Sequence, residues 1–280
     1  MPRPTTALEA FAAAVFLTIS TGTGNALAQP SGAAVASACT LLADVATGKL
    51  LTQEGSCDQP ITPASTFKIA ISLMGYDSGL LKNEHVPALP FREGYADWVP
   101  EWRTSTDPTS WMKNSVVWYS QQVTRSLGKL RFKRYVAEFD YGNQDVAGDP
   151  GKQNGLTHAW LSSSLKITPL QQLRFLERMV RHQLPVSNRA YDMTTRILEL
   201  APLPNGWEVH GKTGSGAPRR SDGKLDLDHA YGWFVGWANR NGRNVAFVRQ
   251  VQLAGKGDIR AGLQARDAFL AELPGLLDRL

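Results

Sequence analysis

The sequence predicts an α/β chain of the α+β kind: one antiparallel sheet is built from strands near both chain ends and flanked by helices, with a helical lobe inserted between them. Three observations lead there. Residues 40 to 46 and 49 to 55 have strand character around a Thr47-Gly48 turn. Residues 207 to 213, 230 to 238 and 244 to 253 carry the β-branched and aromatic content of three more strands. Between these two groups the apolar spacing is helical.

Residues 1 to 28 read as a targeting segment. Arg3 precedes an apolar run over residues 10 to 19, and Ala26-Leu27-Ala28 supplies a small-x-small cleavage pattern. Thr18, Ser20 and Thr21 end the run short of the roughly 20 residues needed to span a bilayer, so a cleaved leader is expected rather than an anchor. The remainder, residues 29 to 280, is long enough for one domain with a sizeable core. Cys39 and Cys57 flank the first hairpin, whose folding brings positions 39 and 57 opposite each other to within one residue. An exported chain with one such pair predicts a disulfide, stabilising by roughly 3 kcal/mol through loop closure. Two buried free thiols are the alternative.

Thr62-Pro63-Ala64-Ser65 follows, with Thr62 as the expected N-cap and Pro63 at the first helical position. Phe67, Ile69, Ala70, Ile71, Leu73 and Met74 make this helix apolar nearly all round, which predicts burial. Residues 82 to 110, rich in Pro, Gly and Trp, read as irregular chain. Helices are expected over residues 116 to 127, 129 to 139, 169 to 182 and 187 to 200, so the helical lobe spans roughly residues 63 to 200. A last amphipathic helix is expected over residues 259 to 273.

The formal charge of +5 is small for 280 residues, and the basic residues are scattered. No basic stripe with interleaved aromatics argues for nucleic acid. The five histidines, His85, His158, His182, His210 and His229, lack ligand spacing, so no metal is expected. No Gly-x-Ser-x-Gly elbow and no phosphate-binding glycine loop are present.

Ser-x-x-Lys occurs five times, at Ser65, Ser110, Ser126, Ser163 and Ser221. Ser65 differs by context. It is expected in the first turn of a buried helix, where free N–H groups stabilise an oxyanion, and Lys68 stands between Phe67 and Ile69, where an ammonium is hard to solvate. The alternative is a capping serine with a snorkelling lysine. His210-Gly211-Lys212-Thr213-Gly214 follows a strand-like segment and holds the chain's one Lys-Thr-Gly. A cation, a hydroxyl and close backbone approach suit a carboxylate-bearing substrate.

Ser65-Thr66-Phe67-Lys68, Ser115-Val116-Val117, Tyr141-Gly142-Asn143 and Lys212-Thr213-Gly214 stand in the order found in class D β-lactamases, the oxacillinase type, which the chain resembles over nearly all of its mature length. Trp160-Leu161, the Tyr231 to Trp237 segment and Ile259-Arg260 extend the likeness. Class A is the nearest rival, but Ser221-Asp222 is followed by Gly223 rather than Asn. Trp118 departs from branches of the family that carry Pro there. The resemblance implies the penicillin-recognising serine hydrolase fold, with Ser65 as nucleophile and the Ser65 and Ser215 N–H groups as oxyanion hole. It implies that Ser115 relays protons to the departing nitrogen, and that Lys212, Thr213 and Arg260 hold the substrate carboxylate, with Val117, Leu161 and Gly214 lining the pocket. Ser115 as a simple helix cap and Arg260 paired with Asp258 are the structural alternatives.

A solvated lysine is protonated at neutral pH, so a base at Lys68 must be neutral, as burial would make it. The resemblance further implies that carbon dioxide adds to that amine, that the carbamate serves as general base, and that Trp160 donates its indole N–H to it. Plain core packing is the alternative for Trp160. No other cofactor is implied. The expected partners are small-molecule β-lactams, acting on a periplasmic enzyme, monomer or dimer, with no membrane insertion after leader cleavage. A β-lactam sensor or penicillin-binding protein that is acylated without turnover is the competing function. Residues 216 to 229 are the expected determinant of substrate range.

Overall fold

The computed structural model describes residues 35 to 255 and 260 to 280, so the leader and Ile259 lie outside the described residues. Strands β1 (Val35–Asp44) and β2 (Lys49–Gly55) form the expected hairpin. Strands β3 (Glu208–Gly216), β4 (Tyr231–Arg240) and β5 (Arg243–Leu253) come from the other end of the chain. Neighbours are antiparallel in the order β2-β1-β5-β4-β3, so β1 and β5 join the two chain ends in the sheet's centre, as expected.

The hairpin register differs from expectation. Cys39 faces Gly55, two residues from Cys57, because the turn takes four residues, 45 to 48, and the pairing shifts between Leu42 and Ala43. Asp44 fixes the longer turn, its carboxylate accepting from Thr47 N–H at 3.0 Å and from Thr47 Oγ1 at 2.9 Å. Beyond the strand the chain doubles back, with Ser56 N–H donating to the Ala38 carbonyl at 3.1 Å. Cys57 thereby reaches Cys39, and the two form a disulfide with Cα atoms 5.1 Å apart.

Helices α1 (Lys68–Asp77), α2 (Pro108–Lys113), α3 (Val117–Leu127), α4 (Lys129–Glu138), α5 (Gly155–His158), α6 (Pro169–Val180) and α7 (Asn188–Ile197) all lie between β2 and β3 in the chain. The short α2 falls in the stretch expected to be irregular. Asp107 accepts from Ser110 N–H, Ser110 Oγ accepts from Asp107 N–H, and Pro108 fills the first turn, a capping box in full. Helix α8 (Ala261–Asp278) runs five residues past the expected end at 273, through Pro274. Its last turns are held by Leu273 and Leu277, buried in one cluster with Phe269.

The sheet is covered on both faces, which is why β4 is buried from Tyr231 to Ala238 rather than alternating. Phe234, Phe247 and Val209 pack with Phe269, Leu273 and Leu277 of α8. Val235, Trp237, Ala246 and Val248 point the other way, into the large core shared with α1, α3, α6 and α7. Within that core α1 is buried from Lys68 to Tyr76 and tied to α7 by a 2.8 Å bond between the Ser72 and Thr194 hydroxyls.

Candidate active site

Ser65 sits one turn ahead of the helix expected to carry it. Residues Ala64–Phe67 form a 3-10 turn, and the α-helix begins at Lys68. Thr62 does not cap it. The Thr62 carbonyl accepts from Trp233 Nε1 at 3.1 Å and its hydroxyl pairs with that of Tyr231, so β4 has taken both of its polar groups. Ala64, at φ +49°, turns in the left-handed region that a side chain disfavours, with its N–H donating to the Trp160 carbonyl at 3.1 Å. Thr66 closes the turn, its N–H and Oγ1 both donating to the Pro63 carbonyl at 3.2 and 2.7 Å. The result presents Ser65, half-buried, on a rigid corner.

Lys68 Nζ donates to Ser65 Oγ at 2.9 Å, and Lys68 is fully buried. Burial, reinforced by the charge of Lys212, holds its amine well below the ordinary lysine range. A neutral amine in hydrogen-bond contact with a hydroxyl can take its proton. Among the other Ser-x-x-Lys pairs, that of Ser110 serves instead in the capping box of α2.

The edge strand β3 lies against this corner. Gly214 makes that possible, since a Cβ there would stand 2.8 Å from the Pro63 carbonyl oxygen and 3.0 Å from Thr66 Cγ2. Two residues earlier Lys212 enters, nearly buried, with Nζ donating to Ser115 Oγ at 3.0 Å, to the Thr213 carbonyl at 3.1 Å and to Thr213 Oγ1 at 3.3 Å. Burial, with Arg266 nearby, pushes Lys212 down to about 7. Ser115 lies in the left-handed bend between α2 and α3, at φ +57°, and the residue capping α3 is Val116. The hydroxyl of Ser115 is thus committed to Lys212 and not to a helix end. Val117, buried, opens α3, and Leu161, half-buried, follows Trp160. Ser215 Oγ accepts from Gly262 N–H at 2.9 Å, which docks the start of α8 on β3 and brings Arg260, the N-cap residue of α8, to that end of the strand.

Trp160 differs in its hydrogen bonding from Trp111, Trp118 and Trp233, and shares a buried indole N–H without a partner with Trp207, which lies in the other core cluster. Trp111, Trp118 and Trp233 donate to Ser120 Oγ, the Trp102 carbonyl and the Thr62 carbonyl at 2.9, 2.9 and 3.1 Å. Trp160 Nε1 is buried with no acceptor, while its ring packs 5.6 Å from Phe67, the neighbour of Lys68. A buried N–H left unpaired costs on the order of 1–3 kcal/mol. Among the described residues no three His, Cys, Asp or Glu side chains gather as a metal site.

Tyr141-Gly142-Asn143 braces the site from behind. A Cβ on Gly142, at φ +58°, would stand 2.0 Å from the Lys166 carbonyl oxygen. Asn143 fastens the loop after Trp160, donating to the Ser164 carbonyl and accepting from Lys166 N–H, each at 2.9 Å. Tyr141 Oη donates at 3.2 Å to Gln172 Oε1, and Gln172 Nε2 donates at 2.7 Å to Thr66 Oγ1. Gln172 carried no signal in the sequence, being one polar residue among several on α6. Arg219 was also missed. It ties the loop after β3 to the loop after Trp160, donating to the Ser162 carbonyl at 2.9 Å and approaching Asp149 at 3.4 Å.

Residues 38 to 274 match the penicillin binding protein transpeptidase domain, which accounts for the sheet, the inserted helices and the serine-lysine corner together. Beta-lactamase OXA-9 of Klebsiella pneumoniae is 46% identical over 241 residues, covering 85% of this chain and 88% of that protein. Beta-lactamase OXA-1 of Escherichia coli is 38% identical over 217 residues, 75% of this chain and 74% of that protein. The crystal structure of the OXA-427 class D β-lactamase superposes with a TM-score of 0.80 at 48% identity, covering 86% of this chain and 99% of that one. The chain belongs to the class D β-lactamases.

Proposed function

We propose that this chain hydrolyses β-lactams, the activity of its family, through an ester formed on Ser65 with Lys68 at the seat of the base. The observation that carries the proposal is the 2.9 Å contact between Ser65 Oγ and a lysine amine that burial keeps neutral. As Ser65 Oγ bonds to the lactam carbonyl carbon, its proton passes to Lys68. The carbonyl oxygen, becoming an oxyanion, is received by the Ser65 and Ser215 N–H groups. When the ring C–N bond breaks, the proton taken up by Lys68 is relayed through Ser115, hydrogen-bonded to Lys212, to the departing nitrogen, which returns Lys68 to its neutral form. Lys212, Thr213 and Arg260 take the substrate carboxylate, whose negative charge favours the protonated form of Lys212. Val117, Leu161 and Gly214 line the pocket. Water then attacks the ester, losing its proton towards Lys68, and Ser65 is regenerated.

The residues fit carboxylation of Lys68 by carbon dioxide. The amine is held neutral, and the buried Trp160 N–H is a donor without an acceptor. When formed, the carbamate supplies a carboxylate base that Trp160 would hold. The proposal extends to the whole chain: residues 1 to 28 leave as a signal peptide, and residues 29 to 280 act in the periplasm as one transpeptidase-like domain, monomer or dimer, with the helical lobe of roughly residues 63 to 200 inserted in the sheet. Among the described residues no helix is long and apolar enough to cross a membrane.

Turnover of a chromogenic cephalosporin in degassed and bicarbonate-supplemented buffer tests the mechanism. Activity falls as pH drops, because the Lys68 amine protonates, and bicarbonate restores progress curves that bend downward in degassed buffer. One stoichiometric burst without turnover would instead fit a sensor, and rates indifferent to bicarbonate at mildly acidic pH would remove the carboxylated lysine.

A further inference from the structure

We propose that Gln172 is a positioning residue for the nucleophile, acting as the middle link of a one-way donor chain that runs from Tyr141 through Thr66 to the Pro63 carbonyl. It rests on Ser65 as the nucleophile. Three distances carry it: Tyr141 Oη to Gln172 Oε1 at 3.2 Å, Gln172 Nε2 to Thr66 Oγ1 at 2.7 Å, and Thr66 Oγ1 to the Pro63 oxygen at 2.7 Å. Tyr141, Gln172 and Thr66 are all buried, so no water is at hand to replace a missing partner.

Each link has its direction set by chemistry. The Pro63 carbonyl can only accept, so Thr66 must spend its one hydroxyl proton there and needs a donor from elsewhere. A phenol and a primary amide in series supply it: Tyr141 gives its proton to the amide oxygen, and the amide N–H₂ gives one to Thr66. The 3-10 turn between Pro63 and Thr66 contains the unfavourable φ of Ala64, a conformation that persists where the surroundings over-determine it. Trp233 and Tyr231 fix Thr62, Trp160 fixes Ala64, and Gln172 fixes Thr66, which leaves Ser65 as the one residue of the corner whose side chain is directed at chemistry. Gln172 stands 106 residues from Thr66 in the chain, so α6 is locked to the nucleophile turn through this amide.

Gln172→Glu separates direction from mere packing. A neutral carboxylic acid reproduces both links, its carbonyl accepting from Tyr141 and its O–H donating to Thr66. A carboxylate accepts only, and pulls the Thr66 proton away from Pro63. The titratable group in contact with the new carboxyl is Tyr141, whose phenol burial holds above its ordinary range, and Lys68, two residues beyond Thr66, titrates in variant and wild type alike. The readout is therefore the ratio of variant to wild-type kcat, with KM, from mildly acidic to mildly alkaline pH. The ratio is expected to be highest at acid pH and to fall by about tenfold as the carboxyl ionises, with KM little changed, because a buried hydrogen-bond link is being broken. Gln172→Leu is expected to show the loss at every pH. Thermal melting establishes that the variants fold; where the Glu variant does not, Thr66→Val and Thr66→Ser replace it, with kcat lost in the first and recovered in the second. A ratio independent of pH, a loss confined to KM, or a Thr66→Val enzyme with full kcat overturns the proposal. Mass analysis of the acylated wild type keeps the two levels apart: an adduct on Ser65 with a flat ratio removes Gln172 alone, and an adduct elsewhere removes the nucleophile reading beneath it.

Discussion

Replacing Lys68 by Met is expected to make the protein more stable while abolishing turnover. Lys68 is fully buried and its amine donates to Ser65 Oγ, so burial favours a neutral amine in the folded state where the unfolded chain holds an ammonium. Stripping a proton from a group of ordinary pKa near 10.4 at pH 7 costs about 4–5 kcal/mol of folding free energy. Loss of the bond to Ser65 offsets about 1 kcal/mol of that. The net gain of about 3–4 kcal/mol corresponds to a rise of about 6–16 °C in melting temperature for a domain of this size. The sign with pH follows from the lowered value. Between the folded and unfolded pKa the unfolded chain binds one more proton, so wild-type stability rises with pH and its deficit against Lys68→Met shrinks by about 1.4 kcal/mol per pH unit. Melting curves of both proteins in degassed buffer, at neutral and alkaline pH, measure this. Bicarbonate is expected to raise the wild-type value alone, since a group that adds to the folded amine stabilises it. A Lys68→Met protein less stable than wild type at neutral pH, or a gap that does not narrow on going alkaline, refutes a neutral buried amine.

Trp160→Phe, which keeps the ring packing on Phe67 but removes the unpaired N–H, is expected to slow deacylation far more than acylation, so that acyl-enzyme accumulates in stopped-flow traces; equal slowing of both steps would reduce Trp160 to packing. Mature protein recovered from periplasm is expected to begin near Gln29 and to lack free thiols in a mass-labelling assay, with reduction of Cys39–Cys57 costing roughly 3 kcal/mol on the loop-closure scale. Labelling of either cysteine in unreduced material contradicts the second half.

Much of the frame was legible because it is local. Alternating and helical periodicities marked β1, β2, β4 and β5 and the long helices α3, α4 and α6, and placing both chain ends in one sheet followed from which segments were strand-like. What escaped depends on partners far away in sequence. Thr62 has the residue type of a cap, but Tyr231 and Trp233 outbid the helix for it from 169 and 171 positions away. Pro274 marks a stop by propensity, and the burial of Leu273 and Leu277 overrides it. The Asp107-Pro108 start of α2 was readable in principle and was masked by the prolines and tryptophans around it. For the candidate site, motif order singled out Ser65, Lys68, Ser115 and Lys212, and the structure shows two contacts among them, Lys68 with Ser65 and Lys212 with Ser115. No pattern could announce that Trp160, among eight tryptophans, would be one with an idle N–H, or that Gln172 would reach the turn that carries Ser65.

The central claim is a transient ester on Ser65 that the protein itself hydrolyses. Rapid acid quench of wild-type enzyme turning over a penicillin, followed by intact mass and peptide mapping, tests it most directly. The account predicts a single adduct of the full substrate mass on the peptide containing Ser65, appearing before product and decaying as substrate is exhausted. Steady hydrolysis with no adduct, or an adduct on any other residue, would contradict it.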